Sequence, residues 1–112
     1  MEKTLKMTLY VGLNDQNTKK QEIDTQVAKQ VIYYVLLNNG LDCTLSMNKG
    51  VYTHRESGTV TIENSFKIEL LCFDKSFCSF IIKIRKVVNY LKTCLNQESI
   101  AVVKEYLNTE LW

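Results

Sequence analysis

The sequence predicts an α+β domain of order β-α-β-β-α-β, with four strands in one antiparallel sheet and two helices on one of its faces. Three observations point there: strict two-residue alternation at the start and in the middle of the chain, two long stretches with apolar residues at helical spacing, and a short turn joining two alternating runs. At 112 residues the chain reads as a single domain, 1–112, large enough to bury a core without a metal or a disulfide.

Leu5, Met7, Leu9, Val11 and Leu13 alternate with Lys6, Thr8, Tyr10 and Gly12, the period of a strand with one buried face. "NDQNTKKQ" breaks that pattern. Val27, Ala28, Val31, Ile32, Val35 and Leu36 then recur at helical spacing, with Asp24 as N-cap, Ile23 placed to staple onto Ala28 and Gly40 to close the helix, so the first helix runs over about 24 to 39.

Leu41, Cys43, Leu45 and Met47 alternate with polar residues in the second strand. Val60, Ile62, Phe66, Ile68, Leu70 and Cys72 do so in the third, after "RESG", where Gly58 supplies a positive φ. Setting His54 opposite Thr59 brings inward residues face to face: Leu45 meets Ile68, Cys43 meets Leu70 and Val51 meets Ile62. In this register Tyr52 and Glu63 share the outer face, while Val51 and Ile62 pack inward at the base of the hairpin. Asp74 or Ser76 caps a second helix carrying Phe77, Phe80, Ile81, Ile84, Val87, Val88, Leu91 and Leu95, "NQES" ends it, and "IAVVKEYL" reads as the last strand. With right-handed crossovers, these elements assemble as a ferredoxin-like sheet and helix pair.

Composition narrows the classes of function. Hydrophobic residues at 46% and charged residues at 23% suit a soluble globular domain, and the longest apolar run, "VIYYVLL", is too short to span a membrane. The opening "MEKTLKMTLY" has no apolar h-region or cleavage site, so a cytoplasmic protein with no membrane role is expected. Cys43, Cys72, Cys78 and Cys94 form no C-x-x-C pair. Cys78 and Cys94, sixteen positions apart on one predicted helix, stand about 24 Å from each other, so free, mostly buried thiols are expected. A net charge of +2 does not by itself point to nucleic acid.

The open sheet face carries Thr8, Tyr10, Thr44, Ser46, Thr61, Glu63, Ser65, Lys67 and Glu69. An RNA-recognition module would stack bases on aromatics of the central strands. Only Tyr10 qualifies, and Glu63 and Glu69 repel phosphates, so nucleic acid is not an expected partner. No nucleophile stands beside a base, and Glu63 and Glu69 are about 20 Å apart along one strand, too far for paired-carboxylate chemistry. The chain is therefore expected not to be an enzyme. "GLNDQNTKK" lacks Walker spacing, and no cofactor or metal is expected, although His54 with Glu56 or Glu63 remains an alternative metal-binding hairpin. The basic flank of the second helix, "KIRKVVNYLK", could steer an acidic surface, and Trp112 could anchor a partner.

"VTIENSFKIELLCFD", followed by a long amphipathic helix and "LNQESIAVVKE", resembles small ferredoxin-like proteins of the PII-like and CutA-like kind. "LYVGLND", "KKQE", "GVYTH" and "IENS" also resemble short uncharacterised proteins of gut Firmicutes and their mobile elements. The first resemblance implies a homo-oligomer, trimer or dimer, with a projecting hairpin that touches ligand or partner. On that basis the candidate contacts are Tyr52, His54, Arg55, Glu56 and Glu63, joined by Trp112. The expected function is a non-catalytic binding or regulatory protein acting on a protein or small ligand through residues 50–64. The alternative is a phage or mobile-element inhibitor that occludes a host enzyme, as anti-CRISPR proteins do.

Overall fold

A computed structural model describes residues 2–53, 56–74 and 76–112. The elements follow in the order β1 (Glu2–Gly12), α1 (Thr25–Asn38), β2 (Thr44–Thr53), β3 (Val60–Cys72), α2 (Phe77–Cys94) and β4 (Ala101–Thr109). The strands form one sheet in the order β2-β3-β1-β4, with every neighbouring pair antiparallel. This is the ferredoxin-like α+β arrangement that the alternation predicts.

One apolar cluster joins the sheet to both helices. Leu5, Met7, Leu9 and Val11 enter it from β1, and Phe66, Ile68 and Leu70 from β3. Ala28, Ile32, Val35 and Leu36 enter from α1, and Phe80, Ile84, Val87 and Leu91 from α2. The β1 residues are all odd and the β3 residues all even, so both helices cover the same face and the other is left open. Burial of each Leu, Ile or Phe contributes about 1.5–3 kcal/mol, more than the roughly 1 kcal/mol of a helix cap, so packing decides where the helices lie.

The caps set where each helix begins and ends. Asp24 Oδ2 accepts the N–H groups of Gln26 at 2.9 Å and Val27 at 3.3 Å, and Gly40 turns the chain out of α1 at φ 64°. Ser76 occupies the N-cap of α2 without a side-chain cap bond. Asp74 Oδ1 instead accepts the Ser76 N–H at 2.9 Å, which shapes the approach to the helix. Beyond α2, Asn96 takes a left-handed φ of 47°.

The β2–β3 register is the expected one, with Leu45 opposite Ile68 and Val51 opposite Ile62. The expected burial at the hairpin base is not found. Val51 and Ile62 are 65% and 63% exposed, and Val60 and Met47 are exposed as well. Parity gives the face a residue points to, but not how far the helical layer reaches. The buried part of β3 begins only at Ser65, so the hairpin outruns the helices. The thiols also depart from expectation: Cys72 is buried and Cys43 half-buried, while Cys78 and Cys94 are exposed. Among the described residues, no helix is long and apolar enough to cross a membrane.

Candidate functional site

The open sheet face ends in a cavity of about 350 Å³. Its floor is the sheet: Tyr10 and Gly12 of β1, Tyr52 of β2, and Thr61 and Glu63 of β3. Its walls are two loops, one leaving β1 at Asn14 to Lys19 and one joining α2 to β4 at Gln97 to Ser99. A space of this size accepts a ligand on the scale of a nucleoside.

Tyr52 and Glu63, two of the sequence candidates, meet here. The Asn14 N–H donates to Glu63 Oε2 at 2.9 Å across 49 positions of sequence, so the carboxylate is tied to the loop as well as to its own strand. Leu13 N–H donates to the Asn64 carbonyl at 3.0 Å and Asn64 Nδ2 donates to Gln21 Oε1 at 2.8 Å, which fixes the same loop against β3. Gly50 is the residue directly across from Glu63 in the β2–β3 ladder.

The second wall is locked to the first by side-chain amides. Asn96 Nδ2 donates to Asp15 Oδ2 at 2.7 Å, and Gln16 Nε2 donates to Asn96 Oδ1 at 2.8 Å. Asp15 Oδ1 accepts the N–H groups of Asn17 and Thr18 at 2.8 and 3.1 Å. Hydrogen bonding by Asn96, then by the Thr18 and Asn17 amides, holds the Asp15 carboxyl below its ordinary value near 3.8. Burial pushes the Cys43 and Cys72 thiols up, so neither is primed as a thiolate nucleophile.

The remaining candidates lie elsewhere. Glu56 is exposed in the turn and does not line the cavity. Trp112 is fully exposed at 107%, and its Nε1 donates to Glu110 Oε2 at 3.1 Å. His54 and Arg55 lie outside the described residues. Among the described residues, no three His, Cys, Asp or Glu side chains gather as a metal site. Elsewhere on the open face, Glu69 pairs with Lys6 at 3.0 Å and with Lys67 at 3.6 Å, a solvated cluster that is not part of the cavity.

Sequence reading missed Asn14, Gln97 and the two glycines Gly12 and Gly50. The glycines did leave a signal. Gly50 interrupts the interior of β2 and Gly12 ends β1, and glycine in a strand marks close approach of a ligand or another group to the backbone.

The chain matches no protein-family model and no curated protein. Among solved structures it is similar to a phage SAM lyase in complex with S-methyl-5'-thioadenosine. The two share 24% identity over 97% of this chain and 92% of that one, with a TM-score of 0.65. It is also similar in fold to Bacillus subtilis GlnK in an ATP complex, with 11% identity over 94% of this chain and 84% of that one and a TM-score of 0.54. A Bacillus cereus protein related to NIF3 matches at 16% identity and a TM-score of 0.59. The match covers 96% of this chain but only 26% of that longer one. The likeness to GlnK agrees with the PII-like fold implied by the sequence.

The expectation that the chain is not an enzyme is overturned by the first of these structures. It rested on the lack of a nucleophile beside a base, yet a lyase is built on the same fold at nearly the same length. Topology and the absence of such a pair are therefore no ground for excluding catalysis.

Proposed function

We propose that the chain binds an S-adenosylmethionine-type sulfonium nucleoside in the Glu63 cavity and breaks its carbon–sulfur bond, releasing a methylthioadenosine-type thioether. The observation that carries this reading is the Glu63 carboxylate, held by the Asn14 N–H beside the Tyr52 ring in a nucleoside-sized cavity. The likeness of fold to a SAM lyase supports it.

A sulfonium is a permanent cation that cannot donate a hydrogen bond through sulfur, so a carboxylate and an aromatic ring are the groups suited to recognise it. At a separation of about 4 Å near a protein surface, the carboxylate attraction is on the order of 4 kcal/mol, and an exposed ring adds about 0.5–1 kcal/mol.

The chemistry asks little more of the protein. When the bond between sulfur and the amino-acid side-chain carbon breaks, its electron pair stays on sulfur, which becomes a neutral thioether. The substrate's own carboxylate closes onto the released carbon, forming a carbon–oxygen bond and a lactone. No proton is transferred, so the protein needs neither a general base nor a nucleophile. Its work is to hold the substrate folded for ring closure and to keep water from competing.

Incubation with S-adenosylmethionine, followed by mass spectrometry of the products, tests the reading. Methylthioadenosine and a lactone are expected, with kcat/KM lowered about tenfold to a hundredfold in Glu63→Gln, as loss of a charged contact of about 1.5–3 kcal/mol requires. Intact substrate, together with no calorimetric binding of methylthioadenosine at millimolar concentration, would overturn it.

The chain is also proposed to assemble with copies of itself. Met47, Val51, Val60 and Ile62 expose apolar surface along the hairpin, as Tyr106 and Leu107 do on the edge strand β4, and such surface is unusual on an isolated domain.

A further inference from the structure

Glu63 is flanked by bare backbone on both sides. Gly50 faces it across the β2–β3 ladder, and on the β1 side Gly12 pairs with Ser65, two residues further along β3. A methyl group at Gly12 would stand 2.5 Å from Glu63 Oε1, 2.7 Å from Cδ and 2.8 Å from Oε2. One at Gly50 would stand 2.5 Å from the Tyr52 hydroxyl oxygen and 2.6 Å from the ring. All of these distances lie well inside van der Waals contact.

The two clashes involve the far ends of flexible side chains and not the backbone. Neither glycine has the positive φ seen at Gly40 and Gly58, so alanine suits the strand conformation at both positions. Substitution would therefore be met by Glu63 or Tyr52 swinging away, at little cost to the fold. The strand tolerates a side chain there, but the observed poses of the two pocket groups do not.

We infer that Gly12 and Gly50 are positioning residues: they leave the clearance in which Glu63 lies across β1 toward the Asn14 N–H and Tyr52 lies back along β2. This rests on the sulfonium-site reading for its catalytic meaning, but the clearance itself can be tested without substrate. It makes a glycine, ordinarily a weakness in a strand, a requirement for the geometry of the site.

Gly12→Ala tests the first clearance by NMR on the unliganded protein. In the wild type the Asn14 amide proton bonds to the Glu63 carboxylate, so it should be protected from exchange with solvent. In Gly12→Ala this protection should be lost while the thermal midpoint stays within a few degrees of the wild type. An Asn14 amide that exchanges as slowly in Gly12→Ala as in the wild type would overturn the proposal whatever the ligand proves to be.

Turnover and binding supply the second arm. Gly12→Ala should lower kcat/KM for S-adenosylmethionine about tenfold, toward the value expected of Glu63→Gln, and the double variant should turn over no more slowly than Glu63→Gln alone. Gly50→Ala should shift the Tyr52 ring resonances and weaken binding, and its effect on binding should disappear when Tyr52→Ala is also present. Additive losses in either pair would assign the glycines a general structural role and refute positioning. A wild-type chain that leaves S-adenosylmethionine intact and does not bind methylthioadenosine would refute the sulfonium reading, with the amide exchange and ring resonances still deciding the glycines.

Discussion

Gln97 Nε2 donates to the Asn14 carbonyl at 2.6 Å, tying the loop after α2 to the end of β1. Asn14 thus serves two partners, giving its N–H to Glu63 and its carbonyl to Gln97. Gln97→Ala removes one of these ties. It should cost about 1 kcal/mol, the ordinary net worth of a hydrogen bond, and lower the thermal midpoint by several degrees. Methylthioadenosine should bind more weakly, because the wall that carries Asn14 loosens. Calorimetry and thermal unfolding of the same preparation check both effects, and unchanged values in both would show that this bond supports nothing.

Ile62 and Ile68 have the same parity on β3 and opposite fates: Ile68 is fully buried and Ile62 is 63% exposed. Ile68→Ala should cost about 2–5 kcal/mol, and Ile62→Ala less than about 1 kcal/mol in the single chain. Urea unfolding of the two variants measures the contrast. A large loss from Ile62→Ala in dilute solution would show that another surface covers the hairpin.

This contrast marks how far the sequence was legible. Alternation in Leu5 to Leu13 and in Phe66 to Cys72 was enough to set strands, faces and the β2–β3 register, because a one-residue slip would have turned every apolar residue outward. Val51 and Ile62 were misplaced because alternation holds no information about where the helices end. Tyr52 and Glu63 were found as exposed polar neighbours on one hairpin. Their union with Asn14 and Gln97 was hidden, since it depends on β1–β3 pairing and on loops far apart in sequence. The lack of a nucleophile beside a base does not exclude catalysis, because not every bond cleavage needs either.

Self-assembly through the hairpin predicts that a charge at Val51 or Ile62 breaks it. Light scattering of the wild type should give a multiple of the 13.0 kDa chain mass. Val51→Lys and Ile62→Lys should shift it toward the single chain, because an unpaired charge in an apolar contact is strongly unfavourable. A wild type with the mass of one chain would end this proposal.

Asp15 predicts a specific acid response. Its carboxyl is held below the ordinary value near 3.8, chiefly by Asn96, so the folded state binds its proton less readily than the unfolded state does. The stability it contributes is therefore complete above that ordinary value and is lost as pH falls through the lower folded value. Asp15→Asn should flatten this part of the acid limb, and Asn96→Ala should move the carboxyl back toward its ordinary range. Urea midpoints from about pH 6 down to about pH 2.5 would reveal it. Parallel profiles for wild type and Asp15→Asn would contradict the role of Asp15.

β1 sits between β3 and β4, and the ladder from Glu2↔Thr109 to Tyr10↔Ala101 joins the first strand to the last. During synthesis, then, one whole side of β1 waits without backbone partners until residues 101–109 have left the ribosome. At translation rates of about 5–20 residues per second, the 37 residues between the end of β3 at Cys72 and the end of β4 at Thr109 take roughly 2 to 7 s, in which β1 and the β2–β3 hairpin can collapse into a three-stranded intermediate with an open edge. An open edge is a template for pairing with another nascent chain. The risk of such pairing should therefore end when β4 docks on β1.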